Sequence, residues 1–535
     1  MPPSCLPEPA RPDAEGAAAE DPAVGIPGVE DPAVVDPELL DRARRAAARE
    51  RELAAAVRAD PDRPRYHLAP PVGRLNDPNG LVHLDGRWHA FYQYSPLHPE
   101  KAVFWRHAIS EELLHWRDLG TALEPVRWYD RDGCYSGGAL PLPGGGVEFY
   151  YTGNVRTPDG GREAYQCRAV PAGAGSGRLL PDLDNPLIPG PPPGYTAHFR
   201  DPQVLPAPEG GWMMLLGAQR EDGTGAILRW DSADRRRWGF TGEVRFDRPE
   251  LRAPGFMDEC PQLVGLRDEA TGEERHVLIF CPQGLGPEGE RFRNPHPCTY
   301  TVGVLEGCAF REATALEELD AGFEFYAPQV FAGTGERTVL MGWMGNAGED
   351  DQPSLDHGWV HQMTLPRELI LRGGRLLQRP VPEVDRLLPL GELDLPDADA
   401  AQLIPPQPRP AHRLRVEVSF EGPSAGAVPD PASRLEYLDP RGIAVTVSIC
   451  ATGITVDRGG SQYQAGGPER TRTLPAAPHR AVELFADSSS LEIFAEDGAC
   501  VFTQRIFLTG PVAVTARCDA GARLLSAEAA LLPGP

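Results

Sequence analysis

Arg74-Leu75-Asn76-Asp77-Pro78-Asn79-Gly80-Leu81-Val82-His83-Leu84-Asp85-Gly86-Arg87-Trp88-His89-Ala90-Phe91-Tyr92 reads as a tight turn followed by a hairpin. Pro78 fixes its own φ and Gly80 tolerates conformations that other residues avoid, so the turn holds Asp77 at the mouth of a strand. Residues 81–84 and 87–92 flank Asp85-Gly86, a pair favoured in two-residue hairpin turns. Taken alone, an Asn-Asp-Pro-Asn-Gly run is most often a solvent turn. Its meaning comes from what recurs.

The same plan returns along the chain. Gly144-Gly145-Gly146 precedes Val147-Glu148-Phe149-Tyr150-Tyr151, and Gly210-Gly211 precedes Trp212-Met213-Met214-Leu215-Leu216. Gly333-Thr334-Gly335 precedes Thr338-Val339-Leu340-Met341, and Gly373-Gly374 separates two further apolar runs. Polar landmarks at the starts of successive units, Asp77, Ser136, Asp201, Glu259 and Tyr326, stand 59, 65, 58 and 67 residues apart. That step fits one four-stranded propeller blade with generous loops. The expectation is an all-β chain with a five-bladed β-propeller over residues 62–388. A Pro-rich linker over 389–411 and a β-sandwich of alternating strands over 412–535 follow. In a propeller the first strand of each blade lines the central channel. Asp77, Asp201 and Glu259 are therefore expected to meet at one end of it.

Ahead of the propeller, residues 1–35 are rich in Pro, Ala, Asp and Glu and read as disordered. A helix is expected over 36–61, with Asp36 as cap and Pro37 in the first position. Its apolar stripe would be Leu39, Ala43, Ala46, Ala47, Leu53 and Val57. Arg42, Arg44, Arg45, Arg49 and Arg51 would face water.

Composition narrows the function. The 535 residues suffice for two or three domains with large cores. A net charge of −25 argues against nucleic acid and anionic membranes as partners and is silent on a neutral substrate. The 58 Gly and 58 Pro favour short strands and tight turns over helices. No run approaches the roughly 18 apolar residues of a membrane span. The opening residues lack the apolar core of a secretory signal, so a cytoplasmic location is expected. The ten Cys show no paired spacing and read as reduced, buried thiols; no metal and no cofactor are expected.

Paired carboxylates in a pocket with aromatic walls are the apparatus for cleaving a glycosidic bond. Trp88, Tyr92, Trp105, Tyr135 and Trp343 are the candidates for that wall. The chain here resembles a known family. Asn76-Asp77-Pro78-Asn79-Gly80, Phe91-Tyr92-Gln93-Tyr94-Ser95-Pro96, Trp105-Arg106-His107-Ala108 and Tyr135-Ser136-Gly137-Gly138 are followed by Phe199-Arg200-Asp201-Pro202 and Glu259-Cys260-Pro261. Phe325-Tyr326-Ala327-Pro328-Gln329, Gly342-Trp343-Met344-Gly345 and Leu365-Pro366-Arg367-Glu368-Leu369 complete the series. The ordered set is similar to glycoside hydrolase family 32, the β-fructofuranosidases, and within it to the bacterial sucrose and sucrose-6-phosphate hydrolases.

The resemblance implies a retaining hydrolysis of sucrose or its 6-phosphate through a covalent fructosyl-enzyme. Asp77 would be the nucleophile, Glu259 the acid/base, and Asp201 the residue holding fructose hydroxyls. Arg200 would stand beside Asp201. Asn76, Gln93, Trp105, Ser136 and Tyr326 would line the substrate pocket. Glu259 must begin protonated, so a raised pKa is expected of it. Two positions depart from the family pattern: Arg74-Leu75 stands where Trp-Met is usual, and Arg106 where Gly is usual. Either Arg would contact a substrate phosphate or carboxylate, or else form an intramolecular ion pair. A fructan exo-hydrolase, a fructosyltransferase and an inactive carbohydrate-binding propeller are the competing readings. A homodimer built through the sandwich is expected only by analogy.

Overall fold

The strand Gly73–Leu84 carries the opening motif and pairs antiparallel with Arg87–Ser95 across the Asp85-Gly86 turn. Both turn residues have positive φ, as that turn requires. Phe104–Ser110 and Arg117–Leu123 extend the sheet outward, and Trp359–Val360 returns from far along the chain to pair in parallel with Gly73-Arg74. The computed structural model describes residues 36–532 apart from 174, 253, 397–399 and 422–429. The expectation made for residues 1–35 lies outside the described residues.

Five sheets form between Gly73 and Pro380. The innermost strands of the first, third, fourth and fifth are Gly73–Leu84, Tyr195–Pro206, Met257–Arg267 and Tyr326–Val330. In the second sheet, Gly133–Cys134 and Ala139–Pro141 both pair with Val147–Arg156. Each inner strand touches the next sheet, and Tyr326–Val330 touches Gly73–Leu84, so the series closes on itself. Repetition around an axis is the propeller's way of leaving only short edges.

A recurring amide ties neighbouring sheets together. Gln203 accepts from Leu263 N (2.7 Å) on the fourth sheet, and Gln262 accepts from Val330 N (3.3 Å) on the fifth. Gln329 accepts from Leu81 N (3.0 Å) on the first and donates to Gly137 O (2.9 Å) on the second. Each glutamine follows a proline at which its own strand bulges. The bulge breaks the ladder, and the glutamine satisfies backbone groups that burial would otherwise leave unpaired.

The helix Pro37–Arg58 is capped by Asp36, whose Oδ1 accepts from Glu38 N (2.8 Å). Ala46 and Val57 are its buried residues, whereas Ala47 faces solvent, contrary to the expected stripe. Arg42, expected in water, is half-buried and donates to Pro125 O and Arg131 O. Its long stem suits the seam between helix and sheet.

Beyond the propeller, two six-stranded sheets pack face to face. Leu414, Val416 and Val418 of one meet Leu435, Val445 and Val447 of the other in a single apolar core. The linker expected over 389–411 is not a plain connector. Ala400–Gln407 is an edge strand of the second sheet, paired with Val512–Cys518. Ala401 and Leu403 point into the core while Pro405 and Pro406 lie at a register shift, the kind of edge position that tolerates proline. Sandwich and propeller meet through buried charge. His67 lies between Asp487 (2.8 Å) and Glu492 (2.9 Å), and Arg367 reaches Asp320 and Glu492.

The nine described cysteines are free thiols. Cys308, Cys450 and Cys518 are only partly buried, a correction to the expectation that all are buried. No helix among the described residues is long and apolar enough to cross a membrane.

Candidate active site

Each of the three acids sits where an inner strand is interrupted before a proline. The register of Gly73–Leu84 shifts between Leu75 and Pro78, and that of Tyr195–Pro206 between Arg200 and Gln203. That of Met257–Arg267 shifts between Glu259 and Gln262. A bulge re-aims the side chain at the break. Asp201 (φ +66°), Cys260 (φ +50°) and Ala327 (φ +46°) occupy the left-handed region, which non-glycine residues enter at a cost and which clusters at functional sites.

Asp77, Asp201 and Glu259 line one cavity of about 410 Å³, together with Asn76, Gln93, Arg200 and Tyr326. Asp77 is held by a relay of amides. Asn76 Nδ2 donates to Asp77 Oδ1 (3.0 Å) and to Gln93 Oε1 (2.7 Å). Gln93 Nε2 and the Ser136 hydroxyl both donate to Asp77 Oδ2. Arg74 Nη1 donates to Asn76 Oδ1 (2.8 Å), which fixes the way this amide points and hence the polarity of the whole relay. Glu259 is held differently. Arg200 Nε donates to its Oε1 (2.7 Å), and the Tyr326 hydroxyl donates to Oε2. Asp201 Oδ2 accepts from Cys260 N (3.0 Å), while Asp201 N donates to Thr152 Oγ1 (3.1 Å).

Three carboxyls in one cavity do not ionise independently. Burial raises the pKa of Asp77, helped by the charge of Glu259 and opposed by hydrogen bonds from Ser136 and Asn76. Burial and the charge of Glu259 push Asp201 up to about 7 against the pull of Arg200. Burial also disfavours charge on Glu259, but Arg200 and the Tyr326 hydroxyl outweigh it and hold that carboxyl below its ordinary value. The expectation of a raised Glu259 is thus corrected: in this arrangement Asp77 and Asp201 are raised and Glu259 is lowered. Arg200 likewise turns its guanidinium to Glu259, not to its sequence neighbour Asp201.

Other expectations are redistributed. Trp105 is fully buried, donates to Tyr135 O (3.1 Å) and packs behind the cavity wall, not in it. Trp88 and Tyr92 belong to the apolar core on the far face of their strand, because side chains alternate along it. Tyr135 and Trp343 do line the cavity. Arg106 lies away from it. The guanidinium binds Asp118 and Glu50, pinning the N-terminal helix to the first sheet. Arg74 lines the cavity, but Asp350 (2.7 Å) holds it and Trp343 covers it at 4.9 Å.

A family model for the glycosyl hydrolases family 32 N-terminal domain matches residues 67–380, and one for the family 32 C terminal matches 443–529. The chain belongs to glycosyl hydrolase family 32. A sucrose-6-phosphate hydrolase of Klebsiella pneumoniae is 39% identical over 456 residues, 84% of this chain and 89% of the relative. The one of Bacillus subtilis is 34% identical, covering 87% of this chain and 93% of its own length. Among solved family 32 structures, the sucrose-6-phosphate hydrolase from Lactobacillus gasseri superposes with a TM-score of 0.78 at 27% identity, covering 91% of this chain and 96% of that one. The family 32 β-fructofuranosidase of Bombyx mori, as a mutant in complex with sucrose, gives 0.74 at 27%, covering 92% and 98%.

Sequence reasoning missed several residues of this family 32 site. Asp350 and His361 are among them. His361 Nε2 meets Asp350 Oδ1 at 3.0 Å, and Asp350 in turn holds Arg74. Glu349-Asp350-Asp351 reads in sequence as a solvated acidic run, and no local signal marks Asp350 as a cavity residue. Lys101, Arg156 and Arg162 also line the cavity. Among the described residues, no group of three or more His, Cys, Asp or Glu is placed to hold a metal ion.

Proposed function

We propose that the chain is a retaining β-fructofuranosidase that hydrolyses sucrose or sucrose-6-phosphate. The observation that carries this reading is the shared cavity. An Asp77 ringed by three donor side chains faces the same space as Glu259. Asp77 attacks the anomeric carbon of fructose from one side, and Glu259 protonates the departing oxygen from the other. The carboxylates around the sugar stabilise its developing positive charge. Water, deprotonated by Glu259, then releases fructose. Arg200 and Tyr326 suit this second step, because both favour ionised Glu259. Fructose hydroxyls donating to Asp201 favour its charged form and move the shared proton to Glu259, where the first step needs it. We read each of the five sheets as one blade of the propeller. A phosphorylated disaccharide does not cross a lipid bilayer unaided, so this reading puts the chain in the cytoplasm.

Product analysis tests the proposal. Sucrose and sucrose-6-phosphate are expected to give fructose with glucose or its 6-phosphate, in equal amounts from the first turnovers. Transfer products would mean a transferase, and release from inulin or levan alone would mean a fructan hydrolase. The same assay run against pH reads the proton. The acid pair keeps one proton below about pH 7 and loses it above, so kcat/KM should fall about tenfold per unit on that limb. A profile flat to pH 9 would remove this proton from the mechanism.

A further inference from the structure

The cavity is lined by three cations, Arg156, Arg162 and Lys101, whose side chains form no ion pair among the described residues. Arg156 ends one strand of the second sheet and Arg162 begins the next, and the two stand directly opposite each other in the register. Like charges opposed across a ladder destabilise it. Neither side chain makes a hydrogen bond or ion pair among the described residues, and neither does Lys101, which lines the same cavity. The acids nearby are taken. Glu100 binds Arg45 (2.9 Å), and Asp132 accepts from Arg156 N (2.7 Å) and lies by Arg131 (3.8 Å). Elsewhere in the cavity each Arg has its acid, Arg74 with Asp350 and Arg200 with Glu259. In a chain of net charge −25, unmatched cations facing one space are not a shortage of acids.

Their position has chemical meaning. Arg162 is half-buried, and its charge is opposed by burial and by Arg200 and supported by Glu259. Arg162, with Arg156 opposite it, therefore lies on the Glu259 side of the cavity that Lys101 also lines. The acid delivers its proton to the departing oxygen, so the departing sugar occupies that side.

We propose that Arg156, Arg162 and Lys101 form an anion subsite that takes a phosphoryl group on the leaving sugar, making a phosphorylated disaccharide the preferred substrate. Two guanidiniums offer paired donors to phosphate oxygens, and the anion relieves their mutual repulsion. Arg74 and Arg106, the candidates from sequence, are already committed to carboxylates. The proposal rests on the reading of Glu259 as the acid.

The test compares kcat/KM on sucrose and sucrose-6-phosphate for the wild type, Arg156→Gln, Arg162→Gln, the double variant and Lys101→Gln. The wild type should prefer the phosphorylated sugar by about tenfold or more. The double variant should lose about 30-fold on it, mostly through KM, and change less than about threefold on sucrose. Glucose-6-phosphate should compete against the wild type far better than glucose or inorganic phosphate, an arm that needs no variant. Equal losses on both substrates, no loss on either, or inhibition by inorganic phosphate as strong as by glucose-6-phosphate would overturn the subsite. A wild type inert towards both sugars would instead overturn the hydrolase reading itself.

Discussion

Asp77→Asn is expected to lower kcat on sucrose by about 10⁴-fold or more while the protein stays folded. The amide has the carboxylate's shape but cannot attack carbon. The surroundings survive the exchange. Ser136 can turn its hydroxyl to accept, Asn76 still finds an oxygen to donate to, and Gln93 Nε2 loses Asp77 Oδ2 but keeps the Ser136 oxygen. The folded state should gain, if anything. Burial and the charge of Glu259 both act against a charged Asp77, so removing that charge relieves the native state. The thermal midpoint should therefore hold or rise as activity vanishes, a combination that marks a residue kept for chemistry and not for stability. Activity within tenfold of wild type, with fructose still released, would exclude Asp77 as nucleophile.

Arg367→Leu is expected to have the largest effect on stability, a loss of about 3–5 kcal/mol in urea unfolding. The side chain is fully buried. Its Nη1 donates to Asp320 (3.0 Å) and Gln378 (2.9 Å), and its Nη2 to Glu492 (2.6 Å) and Thr503 (2.5 Å). The rings of Phe325 and Phe494 lie over it at 4.7 and 5.4 Å. Leucine fills part of the volume but leaves two buried acids without their shared cation. Glu492 would keep His67 and the Leu365 N–H (2.7 Å), and Asp320 would keep Thr503 and backbone donors, but neither acid would keep an arginine. The sign with pH follows. Despite burial, Arg367 and His67 hold Glu492 below its ordinary pKa, so in the wild type its contribution is present at neutral pH and is lost as pH falls. Without Arg367 that depression goes, and the difference between variant and wild type should shrink in acid. Because the residue joins the last propeller sheet to the sandwich, the two parts of the variant should also unfold in separate steps. A single transition at the wild-type midpoint would refute the bridging role.

The sequence shows much of this architecture because its signals are local. Asp85-Gly86 makes one hairpin and glycine pairs mark others, and prolines beside Asp77, Asp201 and Cys260 mark the bulges that aim the acids. Pro202-Gln203, Pro261-Gln262 and Pro328-Gln329 form a further repeat, and their meaning emerges only when each glutamine is seen reaching the next sheet. What the sequence hides is partnership across distance. Arg106 meets Glu50 from 56 residues away, and Arg200 and Tyr326 reverse the expected shift of Glu259 from 59 and 67 residues away. Aromatic residues near a motif invite assignment to the pocket, yet Trp88, Tyr92 and Trp105 fall on strand faces that point into apolar cores. The edge strand Ala400–Gln407 was masked by its prolines, which outweigh a short alternation of Ala401 and Leu403.

The most direct measurement uses Glu259→Gln mixed with β-fructofuranosyl fluoride, whose fluoride leaves without a proton from the missing acid, quenched in acid and digested for peptide mass analysis. This variant can still form the fructosyl-enzyme but lacks the base that releases it. A peptide containing Asp77 is expected to be heavier by one fructosyl unit, with the modification at the Asp77 carboxyl. An adduct on Asp201 or any other residue, or an initial product of inverted configuration with no adduct at all, would contradict Asp77 as the nucleophile.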